Sequence, residues 1–309
     1  MFSDPERFAS AGLLAGYRGL TAGAPHTGGG RSCRDAPAGE LLPVVGLISS
    51  GSTSGTSSAQ IRQSVGVTKA ARPLDGSDDD ALLALFRAVA SGKDGEVRRR
   101  LDAAPALASR GIRIGASRED PVTYFLATIH HYVYAGDTAL HVAAAAHRRD
   151  LAESLVSRGA DVRARNRRGG EPLHYAADGS PGARGWDRSA QREVIAYLVD
   201  AGADPDTRDK SGVAPLHRAV RTRSADAVAA LMEHGANATL MNGSGSTPLH
   251  LAVQNTGKSN SGSDAAKEEQ RRIIATLLQY GASPTDVNAN GKSVADAAAS
   301  DWIRQLLKR

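Results

Sequence analysis

A helical spacing of apolar residues recurs four times after residue 150. In each copy, apolar side chains stand eight, seven, four and three residues before a Gly-Ala pair. The first copy is Leu151, Ala152, Leu155 and Val156, and the glycines that close the four copies are Gly159, Gly202, Gly235 and Gly281. This spacing places the side chains on one stripe of an α-helix, and glycine readily takes the left-handed conformation that ends a helix. Each copy therefore predicts an amphipathic helix that stops near its glycine.

A second pattern lies between these helices and centres on histidine. Four of the nine histidines stand in the frames TALHVA, EPLHYA, APLHRA and TPLHLA, which start at residues 138, 171, 214 and 247, and a weaker frame, SVADAA, starts at 293. The intervals are 33, 43, 33 and 46 residues, and a glycine stands two residues before every frame. Because proline is typical of the first turn of a helix, each repeated unit is predicted to contain two helices.

The 33-residue interval, the T-P-L-H-x-A frame and the G-A-D after the second helix resemble the ankyrin repeats. The resemblance covers roughly Asp80 to Arg309. It implies an all-α repeat solenoid in which each unit is a helix-turn-helix, with hairpin fingers projecting between units. About six units are predicted, and the first and last are degenerate caps with a polar outer face.

These markers divide the chain into a tail and a repeat domain. Residues 1–79 are rich in Gly, Ser, Ala and Pro, cannot bury enough apolar surface to offset chain entropy, and are predicted to be disordered. Residues 80–309 form the predicted ankyrin repeat domain, which consists of a cap at 80–104, an inserted aromatic segment at 112–135, repeats at 136–168, 169–211, 212–244 and 245–290, and a second cap at 291–309.

The repeated histidines are predicted to be structural. One histidine per unit places neighbours about 10 Å apart, which is too far for two of them to share a metal ion with ligands at about 2 Å. The family resemblance implies that each one hydrogen-bonds to the adjacent unit, while the threonine of the same frame closes the turn. The predicted structural set is Thr138, His141, His174, His217, Thr247 and His250.

The inserted segment at 112–135 contains four aromatic residues, Tyr124, Phe125, Tyr132 and Tyr134. Two interpretations are open: a lid that packs these rings onto the first units, because exposed apolar clusters are uncommon in monomers, or a loop that binds a partner or ligand. A metal site built from acidic residues and the two histidines of this segment is a weaker alternative, since their spacing matches no known ligand pattern. Its residues would be Glu119, Asp120, His130 and His131.

Basic residues cluster in the fingers and first helices of the middle units. In the resemblance, finger tips and the inner faces of first helices line a concave groove. We expect finger-tip side chains to make few contacts within the stack, so these residues are candidates for binding a partner, and an ordinary solvated surface is the alternative. The candidates are Arg163, Arg165, Arg167, Arg168, Arg208, Lys210, Arg218 and Arg221.

The two long intervals place extra residues between the first and second helix of alternate units. The first insertion, from Gly179, contains Trp186, which is predicted to anchor the loop, and the second starts at Asn255. Loops at this place lengthen at small entropic cost. The insertions are therefore expected to leave the repeats themselves intact.

Composition narrows the function. The net charge of +5 is mild, so a dedicated nucleic-acid binder is not favoured. The single cysteine, Cys33, forms no internal disulfide, excludes zinc sites with two or more cysteines, and suits a reducing compartment. The start of the chain lacks the features of a secretory signal and no apolar run is long enough to span a bilayer, which predicts a soluble, cytoplasmic monomer.

No pattern typical of catalysis occurs in the sequence, whether a nucleophile with its base, a phosphate loop, a carboxylate pair or a metal cluster. We therefore expect a protein without enzymatic activity, cofactor or metal. The predicted function is a protein–protein interaction module that presents a concave, partly basic surface to an acidic protein partner. The alternatives are a nucleic-acid-associated protein that uses the same arginines, and a regulatory or inhibitory subunit of an enzyme.

Overall fold

The computed structural model describes residues 76–254 and 262–308. Within these ranges it contains twelve α-helices, one two-stranded sheet and a 3-10 helix at Pro105–Ala108. The helices are α1 (Gly76–Ala90), α2 (Asp94–Ala103), α3 (Ala139–Ala145), α4 (Arg149–Ser157), α5 (Pro172–Ala177), α6 (Arg188–Asp200), α7 (Pro215–Arg221), α8 (Ala225–Glu233), α9 (Pro248–Ala252), α10 (Asp264–Gln279), α11 (Val294–Ala297) and α12 (Asp301–Leu306). The strands are β1 (Phe125–Leu126) and β2 (His131–Tyr132), which pair antiparallel.

These helices form six consecutive pairs, which we number as units 1 to 6, so the predicted all-α repeat solenoid is confirmed. The predicted disorder of residues 1–79 falls almost entirely outside the described residues. At its end a correction is needed, because α1 begins at Gly76 and residues 76–79 are helical. The cap therefore starts earlier than the predicted boundary at residue 80.

The helices pack in two layers. The first helices of successive units, α1, α3, α5, α7, α9 and α11, contact one another and form the inner layer. Second helices α4, α6, α8 and α10 also contact in series and form the outer layer. The apolar stripe faces the interface between layers; in α6, for example, Val194, Ile195 and Leu198 are fully buried. Helices of five to seven residues are unstable alone, so the inner helices depend on this packing.

Short fingers precede the first helices of units 2 to 6, at residues 133–137, 166–170, 209–213, 242–246 and 288–292. Backbone hydrogen bonds join several of them to the next finger. Arg167 N–H donates to the Ala135 carbonyl at 2.7 Å, Lys210 N–H to Arg168 at 2.9 Å, and Ala289 N–H to Gly245 at 3.0 Å. The finger tips are thus part of the stack, and their backbone positions are fixed relative to one another.

The glycines two residues before each frame make this close approach possible. Gly169 has φ of 77°, and a Cβ there would lie 2.9 Å from the Lys210 nitrogen. Both the left-handed conformation and the contact with the next finger therefore disfavour any side chain.

We predict that Gly169→Ala lowers the free energy of unfolding by about 1 to 3 kcal/mol, because alanine would be strained in this conformation and would push the neighbouring finger away. Urea denaturation measures the change. The control is Gly95→Ala in α2, where a Cβ meets nothing within 4 Å and the backbone is helical. Stability should stay the same or rise there. Equal losses at the two positions would contradict the role assigned to Gly169.

Candidate functional site

The histidines of the repeated frame are buried and bridge neighbouring units. In His141, Nδ1 accepts a hydrogen bond from the Thr138 N–H at 3.1 Å, so Nε2 carries the proton and donates to the Gly170 carbonyl at 3.1 Å. His174 repeats the pattern with Glu171 N–H and the Val213 carbonyl. His250 Nε2 bonds the Lys292 carbonyl at 3.0 Å. In each case the acceptor is the residue just before the next frame.

His217 departs from this pattern. Its Nδ1 accepts from Ala214 N–H at 3.2 Å, but its buried Nε2 makes no hydrogen bond of normal geometry in the structure. The backbone carbonyls of Leu240 and Ser246 nevertheless raise the pKa of this ring against the effect of burial, and Ser246 is again the residue just before the next frame. Thr247 closes the turn at the start of α9, with its hydroxyl 2.7 Å from His250 Nδ1, and Thr138 stands in the same relation to His141 at 3.0 Å.

Burial determines the charge state of these rings. Desolvation lowers the pKa of His174 to about 3 and that of His217 to about 4, and it lowers the pKa of His141 as well. A neutral ring has one donor and one acceptor nitrogen, which is what the two bonds of His141 and His174 require. No group of three or more His, Cys, Asp or Glu side chains in the described part of the chain is arranged to hold a metal ion.

A buried polar cluster fixes the first finger. The Asp137 carboxylate is 1% exposed and accepts hydrogen bonds from the Tyr175 hydroxyl at 2.8 Å, the Asn166 side-chain amide at 2.8 Å and the Tyr134 N–H at 2.7 Å. Because these donors come from units 2 and 3, the carboxylate ties both fingers to α5. Asp137 was not among the predicted residues, although its position directly before the Thr138 frame could have indicated it.

Three of the candidate arginines make contacts within the chain, which corrects the expectation that finger-tip arginines are free. Arg165 pairs with the buried Glu171 carboxylate at 2.8 Å and donates to Thr207 Oγ1 at 2.8 Å. Arg167 donates to the Ala116 carbonyl, and the Arg168 guanidinium lies 4.0 Å from the centroid of the Tyr134 ring. The physical reason is that neighbouring fingers approach closely enough for each to supply acceptors to the next.

Arg218, on the inner helix α7, also has partners within the chain. Its guanidinium pairs with Asp178 at 2.9 Å and with Asp209 at 3.4 Å, and it lies 5.9 Å from the Tyr175 ring centroid. Burial alone would lower the pKa of Arg218, but the neighbouring carboxylates raise it overall, so the side chain stays charged. It links units 3 and 4.

The remaining candidate cations are accessible to a partner. Arg208, Lys210 and Arg221 are exposed, and their side chains have no hydrogen-bond or ion-pair partner among the described residues. Arg163 is 55% exposed and lies 3.8 Å from Asp204. Among the candidate cations, those without a side-chain partner in the described residues therefore all lie in unit 4.

Two family models match the chain: one described as three copies of ankyrin repeats covers residues 187–288, and one described as an ankyrin repeat covers 135–167. Together with the helix pairs, the matches decide the family. The chain is an ankyrin repeat protein. A search of curated proteins gave no significant match. No helix in the described ranges has the length and apolar character that a bilayer span requires.

The inserted segment packs onto the ankyrin stack. Its residues Ile112, Leu126 and Val133 are buried, and the Phe125 and Tyr132 rings lie 4.7 Å apart. The four predicted aromatic residues, Tyr124, Phe125, Tyr132 and Tyr134, are all partly buried. Among the alternative metal ligands, Glu119, Asp120 and His130 are exposed, whereas His131 points inward against Tyr175 at 4.6 Å. The segment therefore does not gather these four residues at one point.

The first inserted ankyrin loop is anchored as predicted. The Trp186 ring packs edge-on against His147 with 5.0 Å between centroids. His147 Nε2 lies 3.1 Å from the Asp178 carbonyl, and Gln191 donates to the same carbonyl at 3.2 Å. The loop is thus fixed to unit 2 and to its own second helix. Residues 255–261 of the second insertion lie outside the described residues.

We predict that the pH dependence of stability reports the buried histidines. Because burial places the pKa of His174 at about 3, below its ordinary value of 6.5, the unfolded chain takes up the proton first as the pH falls. The stabilising contribution is complete above about pH 6.5 and declines as the pH falls toward 3.

Replacing His174 by alanine removes two hydrogen bonds and should lower the free energy of unfolding by about 1 to 3 kcal/mol at pH 7. The variant should also lose less stability than the wild type between pH 7 and pH 4. Urea denaturation across this range measures both effects. If the free energy of unfolding depended on pH in the same way in both proteins, the assigned titration of His174 would be wrong. A shift of the wild-type urea midpoint by EDTA would contradict a structural role without a metal ion.

Proposed function

We propose that this protein is an interaction module whose finger side binds an acidic protein partner. Ankyrin repeats are generally protein–protein interaction modules, and they are typically non-enzymatic. The observation that carries the finer proposal is the cluster of unpaired positive charge on unit 4, formed by Arg208, Lys210 and Arg221. We further propose that it acts in the cytoplasm as a monomer.

The outer layer offers a contrast that favours the finger side. There, arginines and carboxylates neutralise one another across three units: Arg188 pairs with Asp226 at 3.1 Å and with Glu269 at 2.7 Å, and Arg272 pairs with the same two carboxylates at 2.7 and 3.2 Å. A partner would have to break these pairs to use the arginines. A partner can bind the cations on unit 4 without breaking any ion pair of this kind.

The cations that remain free support a protein partner better than a nucleic acid. Phosphate backbones are bound by long basic stripes, whereas the candidate cations without a partner among the described residues all lie in unit 4, and the finger of unit 5 contains only Asn, Gly and Ser. Rim charges of this kind act mainly on association rate and specificity. A regulatory or inhibitory subunit would be one form of such a partner complex.

We predict that reversing all three charges, Arg208→Glu, Lys210→Glu and Arg221→Glu, weakens partner capture by about tenfold or more at low ionic strength. Stability should change by less than about 0.5 kcal/mol per site, since the side chains are exposed. Affinity capture with the full chain, followed by binding measurements on the retained protein, tests this. A matched control reverses three exposed cations elsewhere: Lys93, Arg98 and Arg184.

Equal losses of partner binding in the variant and the control would indicate general electrostatic attraction and contradict the proposed surface. Capture that disappears after nuclease treatment would favour the nucleic-acid alternative. Capture that is insensitive to both sets of substitutions would place the interaction on another face.

A further inference from the structure

One side chain of every inner helix lies at the same position in the repeat, four residues after the frame begins. In units 2 to 5 these residues are Val142, Tyr175, Arg218 and Leu251, and Arg87 occupies the equivalent place in α1 if the frame of unit 1 starts at Leu83. They face the fingers, because the Tyr175 hydroxyl bonds Asp137 of one finger and Arg218 pairs with Asp209 of another. This row forms the floor of the finger-side groove.

The exposure of the floor changes along the row. Val142 and Tyr175 are each 2% exposed, whereas the Arg218 side chain is 20% exposed and Leu251 is also partly exposed. Arg87, at the same position in unit 1, is exposed, so the buried part of the row is confined to units 2 and 3. All of these residues belong to the inner layer, so the repeat frame alone does not account for the difference. Another part of the chain covers the floor of these two units.

The inserted segment is what covers it. Thr123, just before β1, accepts a hydrogen bond from Arg87 of unit 1 at 3.2 Å. At the other end, the His131 ring of β2 lies 4.6 Å from the Tyr175 ring of unit 3, and Ala116 accepts from Arg167 of the same unit. A single hairpin therefore extends from the first unit to the third.

The hairpin ends near the Arg218 cluster. The His131 ring packs on Tyr175 at 4.6 Å, and the Arg218 guanidinium lies 5.9 Å from the centroid of the same tyrosine ring, so Tyr175 separates the end of the hairpin from the residues that join units 3 and 4. Beyond this point the groove floor is formed by Arg218 and Leu251. The same two units carry the exposed cations Lys210 and Arg221 and the 40% exposed Met241.

We propose that the hairpin, residues 117–132, covers the groove floor of units 2 and 3 and confines the partner to units 4 and 5. The occupant that fits there is an acidic segment with an apolar residue among its carboxylates. The carboxylates complement Lys210 and Arg221, and the apolar residue contacts Leu251 and Met241. This proposal rests on the proposed function and specifies where on the stack it operates.

The test uses a fluorescein-labelled peptide with four glutamates on each side of one leucine, titrated with the full chain by fluorescence anisotropy at low salt. Lys210→Glu with Arg221→Glu should weaken binding about tenfold. Arg167→Gln with Arg168→Gln, in the finger that the inserted segment contacts, should change it less than about twofold. The control Arg98→Glu with Arg184→Glu should also have little effect.

A second variant removes the cover. Ala116 N–H already bonds the Val133 carbonyl at 2.7 Å, so residues 117–132 can be replaced by Asn-Gly, a pair suited to a tight hairpin turn. The shortened chain should bind the peptide at least about threefold more tightly. In this background Arg167→Gln with Arg168→Gln should now weaken binding. Circular dichroism confirms that the helices remain.

The outcomes separate the two proposals. If the Arg167 and Arg168 substitutions weaken binding in the full chain as much as those at Lys210 and Arg221, the hairpin does not exclude the partner and this inference is wrong, while the basic interaction surface stands. An unchanged affinity in a folded shortened chain overturns it as well. If neither form binds the peptide, both proposals fail.

Discussion

The structure depends on contacts that each unit can make only with its neighbours. The inner helices are too short to be stable alone, and their fingers need acceptors and donors from the next finger. The buried histidine provides the most regular of these links, because one nitrogen closes its own turn and the other reaches the carbonyl before the next frame. Folding of one unit is therefore coupled to folding of the next, as expected for a one-dimensional stack.

This coupling is uneven along the chain. Units 2 to 4 are joined by histidine bonds, the Asp137 cluster, the Arg165–Glu171 pair and the Arg218 pairs. At the junction of units 4 and 5 the Nε2 of His217 has no bond of normal geometry, and the outer layer provides the link through Arg188 and Arg272 instead. The proposed partner surface lies at this junction, where fewer polar groups of the finger side are already used.

The repeat frame predicted most of the fold because it is local and periodic. Gly159, Gly202, Gly235 and Gly281 all have positive φ and end their helices as expected, and the frames at residues 138, 171, 214 and 247 all begin inner helices. What the sequence did not reveal is which arginines are occupied. Arg165 and Arg218 find partners 42 and 40 residues away in neighbouring units, at Thr207 and Asp178 respectively. Such pairs arise only when the units are stacked, so composition and spacing alone overestimated the free charge.

Insertions affect this solenoid according to where they enter the repeat. The loop from Gly179 lies between an inner and an outer helix, where Trp186 fixes it against His147 and the groove floor is untouched. The segment at 112–135 enters between the cap and the first finger, and the hydrogen bonds of Ile112 and Ala116 to that finger direct it along the finger side. Its hairpin then lies against the residues that line the groove. A change of chain length at the second place would therefore alter the proposed binding surface while leaving the repeats in register. On this proposal, the cap-to-finger connection is the position where the stack can acquire a new specificity without rebuilding its core.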